Sequence, residues 1–95
     1  MDAKELRASL RAMADLARLR ILQQLAGYEH EETTVSDLIR ALRISQPLAS
    51  WHLRTLRKAG LVTTHRNGRQ VYCSLNRARV EECRQALGEL AGQRT

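Results

Sequence analysis

The spacing of apolar positions changes character several times along this chain, and each change marks an element. Leu6, Leu10 and Met13 recur at intervals of four and three, the stripe of a first helix over about residues 3–14. Asp15 is placed to cap a second helix whose inner face holds Ala17, Ile21, Leu22 and Leu25, with Gly27 ending it. The polar, acidic stretch Tyr28–Thr33 reads as a loop. Thr34 then opens a third helix, paired with Asp37 in a capping-box-like arrangement, with Val35, Leu38, Ile39 and Leu42 on its buried side. Ser45 caps a fourth helix, and Pro47 falls early enough that its missing N–H costs nothing. Gly60 stops that helix after Ala59. Two capped helices joined by a tight turn form a helix-turn-helix pattern over about residues 34–59.

Beyond Gly60 the period drops to two. Leu61–Arg66 and Arg69–Leu75 read as strands, the second alternating Val71, Cys73 and Leu75 against Gln70, Tyr72 and Ser74. Asn67-Gly68 between them predicts a type I′ hairpin turn, because both residues tolerate positive φ. A last helix over about 76–92 carries Val80, Cys83, Leu87 and Leu90 at intervals of three, four and three. That narrow seam suits packing against another helix. The expected architecture is a single domain, 1–95, mainly α within an α+β layout: a winged helix-turn-helix of about five helices with a two-stranded β-hairpin wing over about 61–75.

Composition narrows the picture. With 95 residues, 3% aromatics and no Phe, the core must be built from Leu, Ile, Val and Ala, and such lean cores often share burial with a second subunit. No apolar run approaches a membrane span or signal peptide, so no membrane partner is expected and a cytoplasmic, soluble protein is the default. No catalytic Ser/His/Asp or Cys/His arrangement and no Gly-rich phosphate loop stands out, which argues against an enzyme.

Charge changes the picture more. Residues 38–80 contain nine basic side chains and no acidic one, in a chain whose net charge is +6. A solvated surface ordinarily mixes signs, so a block of one sign points to a polyanionic partner, nucleic acid first. Wound at about 100° per residue, the fourth helix turns Ala49, Leu53 and Leu56 inward and Pro47, Trp51, Arg54 and Lys58 outward. A tryptophan among exposed basic residues calls for a partner. As a reader of the major groove, this helix would offer Ser45, Gln46 and Ser50 to base edges and pack Trp51 on a base or sugar. Arg54 and Lys58 would meet phosphate or base. Arg66 and Arg69 at the wing tip would reach phosphates or a minor groove. His52, on the flank of the core face, is expected to bridge to the hairpin or to a backbone carbonyl.

Four runs carry a family resemblance: Met13–Leu22, Ser45–Leu53, Leu56–Val62 and Gly68–Tyr72. In order and spacing they resemble the ArsR/SmtB family of bacterial winged-helix repressors, over roughly residues 6–90. The resemblance implies a homodimer on an inverted-repeat operator in double-stranded DNA. Its interface would use the first and last helices, here Leu6, Leu10, Met13, Val80, Cys83, Leu87 and Leu90. It also implies repression released by an inducer, often a metal ion.

Here the chain departs from the pattern. Where metal-sensing members carry Cys-x-Cys at the start of the third helix, it has Val35-Ser36-Asp37, and no histidine follows His65. His30, His52 and His65 have no ligand spacing between any two, so no metal or cofactor site of a familiar kind is expected. Leu16 stands where proline is common. Cys73 and Cys83 fall on apolar faces and read first as small buried hydrophobes. A thiol-responsive repressor using them, and a winged-helix module that binds protein through Trp51, are the alternatives. The inducer, the operator sequence and the role of the acidic stretch Glu29–Glu32 are not encoded in any pattern we can read.

Overall fold

The computed structural model describes residues 1–27 and 32–92. Five helices and a small sheet follow in the order α1 (Ala3–Met13), α2 (Leu16–Ala26), β1 (Thr33–Thr34), α3 (Val35–Leu42), α4 (Gln46–Lys58), β2 (Val62–Asn67), β3 (Gln70–Leu75) and α5 (Arg77–Leu90). Local chemistry sets the boundaries. Asp2 and Glu5 close a capping box on α1, Asp15 accepts the Arg18 N–H at 3.0 Å, and Thr34 accepts that of Asp37 at 3.0 Å. The Ser45 hydroxyl accepts from the Leu48 N–H at 3.3 Å and starts α4.

The end of α4 is a full Schellman motif. Gly60 takes φ +76°, its N–H donates to Arg57 O, and the Leu61 N–H reaches back to Leu56 O, both at 3.0 Å. Leu56 and Leu61, which flank the motif, are both completely buried. Gly27, by contrast, ends α2 in the right-handed region and needs no glycine freedom. Between α3 and α4 the chain turns through Arg43, whose φ of +55° puts a non-glycine residue in the left-handed well. Asn76 caps α5 and also donates its side-chain amide to Gly60 O at 2.8 Å, so the wing's exit is tied to the end of α4.

Two features of the wing depart from the sequence reading. Its strands pair Asn67 with Gln70, so the two-residue turn is Gly68-Arg69, not Asn67-Gly68. Gly68 alone has positive φ (+66°), as a turn with glycine at its first central position requires. Leu61 accordingly belongs to the helix stop and not to the strand. The sheet also has a third strand: β1 pairs antiparallel with β3, Thr33 opposite Cys73 and Thr34 opposite Tyr72, giving the order β1-β3-β2. Thr33 therefore leaves the expected loop, and the rest of Tyr28–Glu31 lies outside the described residues. Two residues are too few to show a period, and what places them is the free edge of β3, whose N–H and C=O groups need partners.

The core gathers Ile21, Leu22 and Leu25 of α2, Leu38 of α3 and Leu53 and Leu56 of α4 against Leu61, Val62 and Cys73. Helix α1 contributes the small buried Ser9 and Ala12, with the partly buried Met13 packed against the core, and its leucines lie outside it. On α5 the apolar seam divides: Val80 packs against the core and Cys83 is buried within this one subunit, while Leu87 is 44% and Leu90 78% exposed.

Candidate nucleic-acid interface

Because Ala49, Leu53 and Leu56 are drawn into the core, the opposite side of α4 has to face outward. Gln46, Pro47, Ser50, Trp51, Arg54 and Lys58 are all exposed, Trp51 by 54%. Leu48, which the helical wheel does not single out, is exposed beside them.

Five of the nine residues expected to meet DNA come together. Gln46, Ser50 and Arg54 of α4 and Arg66 and Arg69 of the wing line one cleft of about 360 Å³, with Arg57 and Gln70, and no carboxylate lies among its walls. The cleft's depth is held by contacts between its walls. Arg57 donates through Nη1 to Thr64 Oγ1 of β2 at 3.1 Å, which ties the helix to the wing. Arg54, Arg66 and Arg69 form no ion pair or hydrogen bond among the described residues, so their guanidinium groups stay free for an anion. Planar guanidinium groups converging on a concave, acid-free surface match phosphate oxygens in charge and in hydrogen-bond geometry.

The other four lie elsewhere. Ser45 spends its acceptor on the α4 cap, and Pro47 occupies the first turn on the outer surface. Trp51 lies on the flank toward α2: the Arg18 guanidinium sits 5.8 Å from its ring centroid and the His52 ring 4.9 Å from it. Lys58 faces α1, lining a different groove. His52 also departs from the sequence reading. It is buried, and its Nδ1 lies 3.3 Å from Arg18 Nη1 rather than against the hairpin or a carbonyl. A guanidinium only donates, so Nδ1 must accept. Arg18 Nε in turn donates to Ala12 O at 2.6 Å, linking α1, α2 and α4 through one side chain.

Sequence reasoning missed Arg18, Arg57 and Gln70. Arg57 belongs to the basic block and carried that signal; Arg18 lies outside it, and only tertiary packing brings it to Trp51. At the base of the wing, His65 donates to Glu32 at 2.7 Å and stacks on Tyr72 at 5.4 Å and 13°. The described end of the acidic stretch, Glu32, thus pairs with the wing.

The remaining chemistry is quiet. Burial pushes the Cys73 thiol up to about 11, with the Glu32 charge adding to the effect, and its Sγ donates to Thr33 O at 3.6 Å. A thiol that stays protonated is a poor nucleophile. Among the described residues no three His, Cys, Asp or Glu side chains lie together as metal ligands would. No described helix is long and apolar enough to cross a membrane.

Comparison with known proteins places this geometry. The HTH-type transcriptional repressor SmtB of Mycobacterium tuberculosis is 44% identical over 62 residues, 65% of this chain and 44% of that protein. The match therefore spans less than half of that relative's length. The transcriptional activator HlyU of Vibrio cholerae is 36% identical over 81 residues, 85% of this chain and 72% of that one. An ArsR-like transcriptional regulator from Rhodococcus sp. RHA1 superposes with a TM-score of 0.81 at 25% identity, covering 94% of this chain and 81% of its own. These relatives are regulators of transcription and not enzymes. The family model described as bacterial regulatory protein, arsR family, matches residues 15–64, from the cap of α2 into β2 and more than half of the chain. By that match and these likenesses, the chain belongs to the ArsR family of bacterial regulatory proteins.

Proposed function

We propose that this protein is a dimeric, sequence-specific DNA-binding regulator that acts in the cytoplasm on a short inverted repeat. The observation that carries the reading is the acid-free cleft in which Gln46, Ser50, Arg54, Arg66 and Arg69 converge between α4 and the wing. Arg54, Arg66 and Arg69 supply sequence-independent affinity at phosphates. Gln46 and Ser50, with Ser45 and Pro47 at the helix entry, address base edges, and Trp51 packs beside them. Lys58 contributes charge from the far flank.

Dimerisation has its own support. Leu10, Leu16, Leu19, Leu87 and Leu90 are all exposed on the single subunit. Leu6, Met13 and Val80 are half-buried beside them and have apolar surface to add, whereas Cys83 has little left to offer. A twofold pairing through α1 and α5 covers Leu10, Leu87 and Leu90 and sets two α4 helices about 34–36 Å apart, one turn of DNA. The relatives include a repressor and an activator. Repression is the reading we favour, since a dimer covering an operator blocks polymerase without needing any further contact.

Binding-site selection from random duplexes tests the reading. The expected product is an inverted repeat whose affinity falls with salt at a log–log slope of about −0.9 per phosphate contacted. Selection that returns no consensus, with affinity nearly independent of salt, would instead favour a protein partner anchored on Trp51.

A further inference from the structure

A second basic concavity lies outside the cleft assigned to DNA. Between α1 and α4 a groove of about 620 Å³ is lined by five cations and no carboxylate: Lys4, Arg7 and Arg11 of α1, Arg18 of α2 and Lys58 of α4. Its floor is alanine, Ala12 and Ala59 among them, so the space stays open because the side chains there are small. Spacings of three and four put Lys4, Arg7 and Arg11 on one stripe of α1 about 10 Å long. That stripe stands roughly a third of a turn from the Leu6–Leu10–Met13 stripe, so pairing of subunits through the leucines leaves it open.

Four of the five cations are unpaired. Lys4, Arg7, Arg11 and Lys58 form no side-chain hydrogen bond or ion pair among the described residues. The nearby carboxylate of α1, Glu5, is engaged with the Asp2 N–H in the helix cap. Like charges brought together from three helices repel, and a multivalent anion seated among them relieves that repulsion. A groove with an apolar floor and cations converging from three helices suits a small multivalent anion. A duplex backbone is already served by the cleft beside the wing.

We propose that this groove binds a small polyvalent oxyanion of the phosphate type, and that Arg18 reports its occupancy to the recognition helix. Among the groove's cations outside α4, Arg18 is the one with a described contact to that helix, through His52 Nδ1 at 3.3 Å and the Trp51 ring at 5.8 Å. Its bonds to Ala12 O and His52 leave most of its N–H donors unused. An anion in the groove competes for that guanidinium and draws it from Trp51 and His52, which changes how α4 presents Trp51. The inference deepens the DNA-binding reading by supplying its signal.

The single tryptophan makes the site readable without DNA. Tripolyphosphate titrated into the full chain at constant ionic strength is expected to change Trp51 emission saturably. Lys4→Gln/Arg7→Gln weakens that response at least tenfold, and Arg69→Gln, on the wing, leaves it within twofold. Tripolyphosphate also lowers operator affinity of the unaltered protein, while the Lys4→Gln/Arg7→Gln protein binds operator normally and ignores the anion. No saturable change, or equal weakening by Arg69→Gln, overturns the site. Loss of operator affinity in Lys4→Gln/Arg7→Gln without added anion overturns it too, because the groove is then a DNA-backbone contact. A chain that answers tripolyphosphate through Trp51 but selects no operator strikes the regulatory reading and leaves the site standing.

Discussion

Helices α4 and α5 have similar patterns and opposite needs. Each carries an apolar stripe at helical spacing and a charged opposite side. On α4 the stripe of Ala49, Leu53 and Leu56 is fully consumed by the subunit's own core, and the charges that remain, Arg54 among them, are left without acidic partners. On α5 the stripe is half spent: Val80 and Cys83 are packed and Leu87 and Leu90 are not, while Arg84 is paired with Glu81 at 2.5 Å. One helix is complete as a fold and lacks an anion. The other pairs part of its charge within itself, Arg84 with Glu81, and lacks an apolar partner. The comparison teaches that a helix's unmet requirement, whether charge or apolar area, identifies the class of molecule it meets.

The comparison breaks first where it is strongest. Leu56→Ala removes a side chain with no exposed surface from the α4 stripe, and should cost about 2–5 kcal/mol by denaturant unfolding. Leu87→Ala, on the unfinished part of the α5 stripe, should leave the subunit's stability within about 0.5 kcal/mol. A Leu87 effect as large as that of Leu56 would mean both stripes serve the same core. Next in size is Leu87→Glu, which sets an unpaired charge in the proposed subunit seam and should convert dimer to monomer in sedimentation. A dimer that survives this change places the interface elsewhere.

On the charged side the expected effects are smaller and differ in kind. Gln46→Ala should cost about 1–3 kcal/mol at one operator position and little on mismatched DNA, seen by gel shift across a panel of single-base variants. Arg54→Ala and Arg69→Ala should each weaken all sequences alike and flatten the salt slope by about one. If Gln46→Ala lowers affinity evenly for matched and mismatched duplexes, its assignment to a base edge fails.

Much of this was legible in the chain because it is local. The Asp15, Thr34 and Ser45 caps, the Gly60 stop and the stripe of α4 depend on residues within a turn or two of one another, and each lies where the pattern placed it. The candidate cleft was half legible. Gln46, Ser50 and Arg54 announce themselves by the wheel, and Arg66 and Arg69 by the basic hairpin, but that the two groups line one wall-to-wall surface depends on the Arg57–Thr64 contact across seven residues. The turn slipped by one residue for a physical reason too. Asn-Gly satisfies a type I′ turn, yet Gly68 alone satisfies the turn that pairs Asn67 with Gln70, and local preference does not choose between them.

By itself the sequence determined the helices, their ends, the hairpin and the sign of the field over residues 38–80, since capping, periodicity and charge act over a few ångströms along the chain. Tertiary structure alone decided the rest. It joined Thr33 to Cys73 as a third strand, closed Cys83 inside the subunit, turned Lys58 toward α1 and carried Arg18 across to Trp51 and His52. These outcomes belong to packing, where a side chain's neighbours are set by how whole elements fit together and not by what lies next to it in the chain.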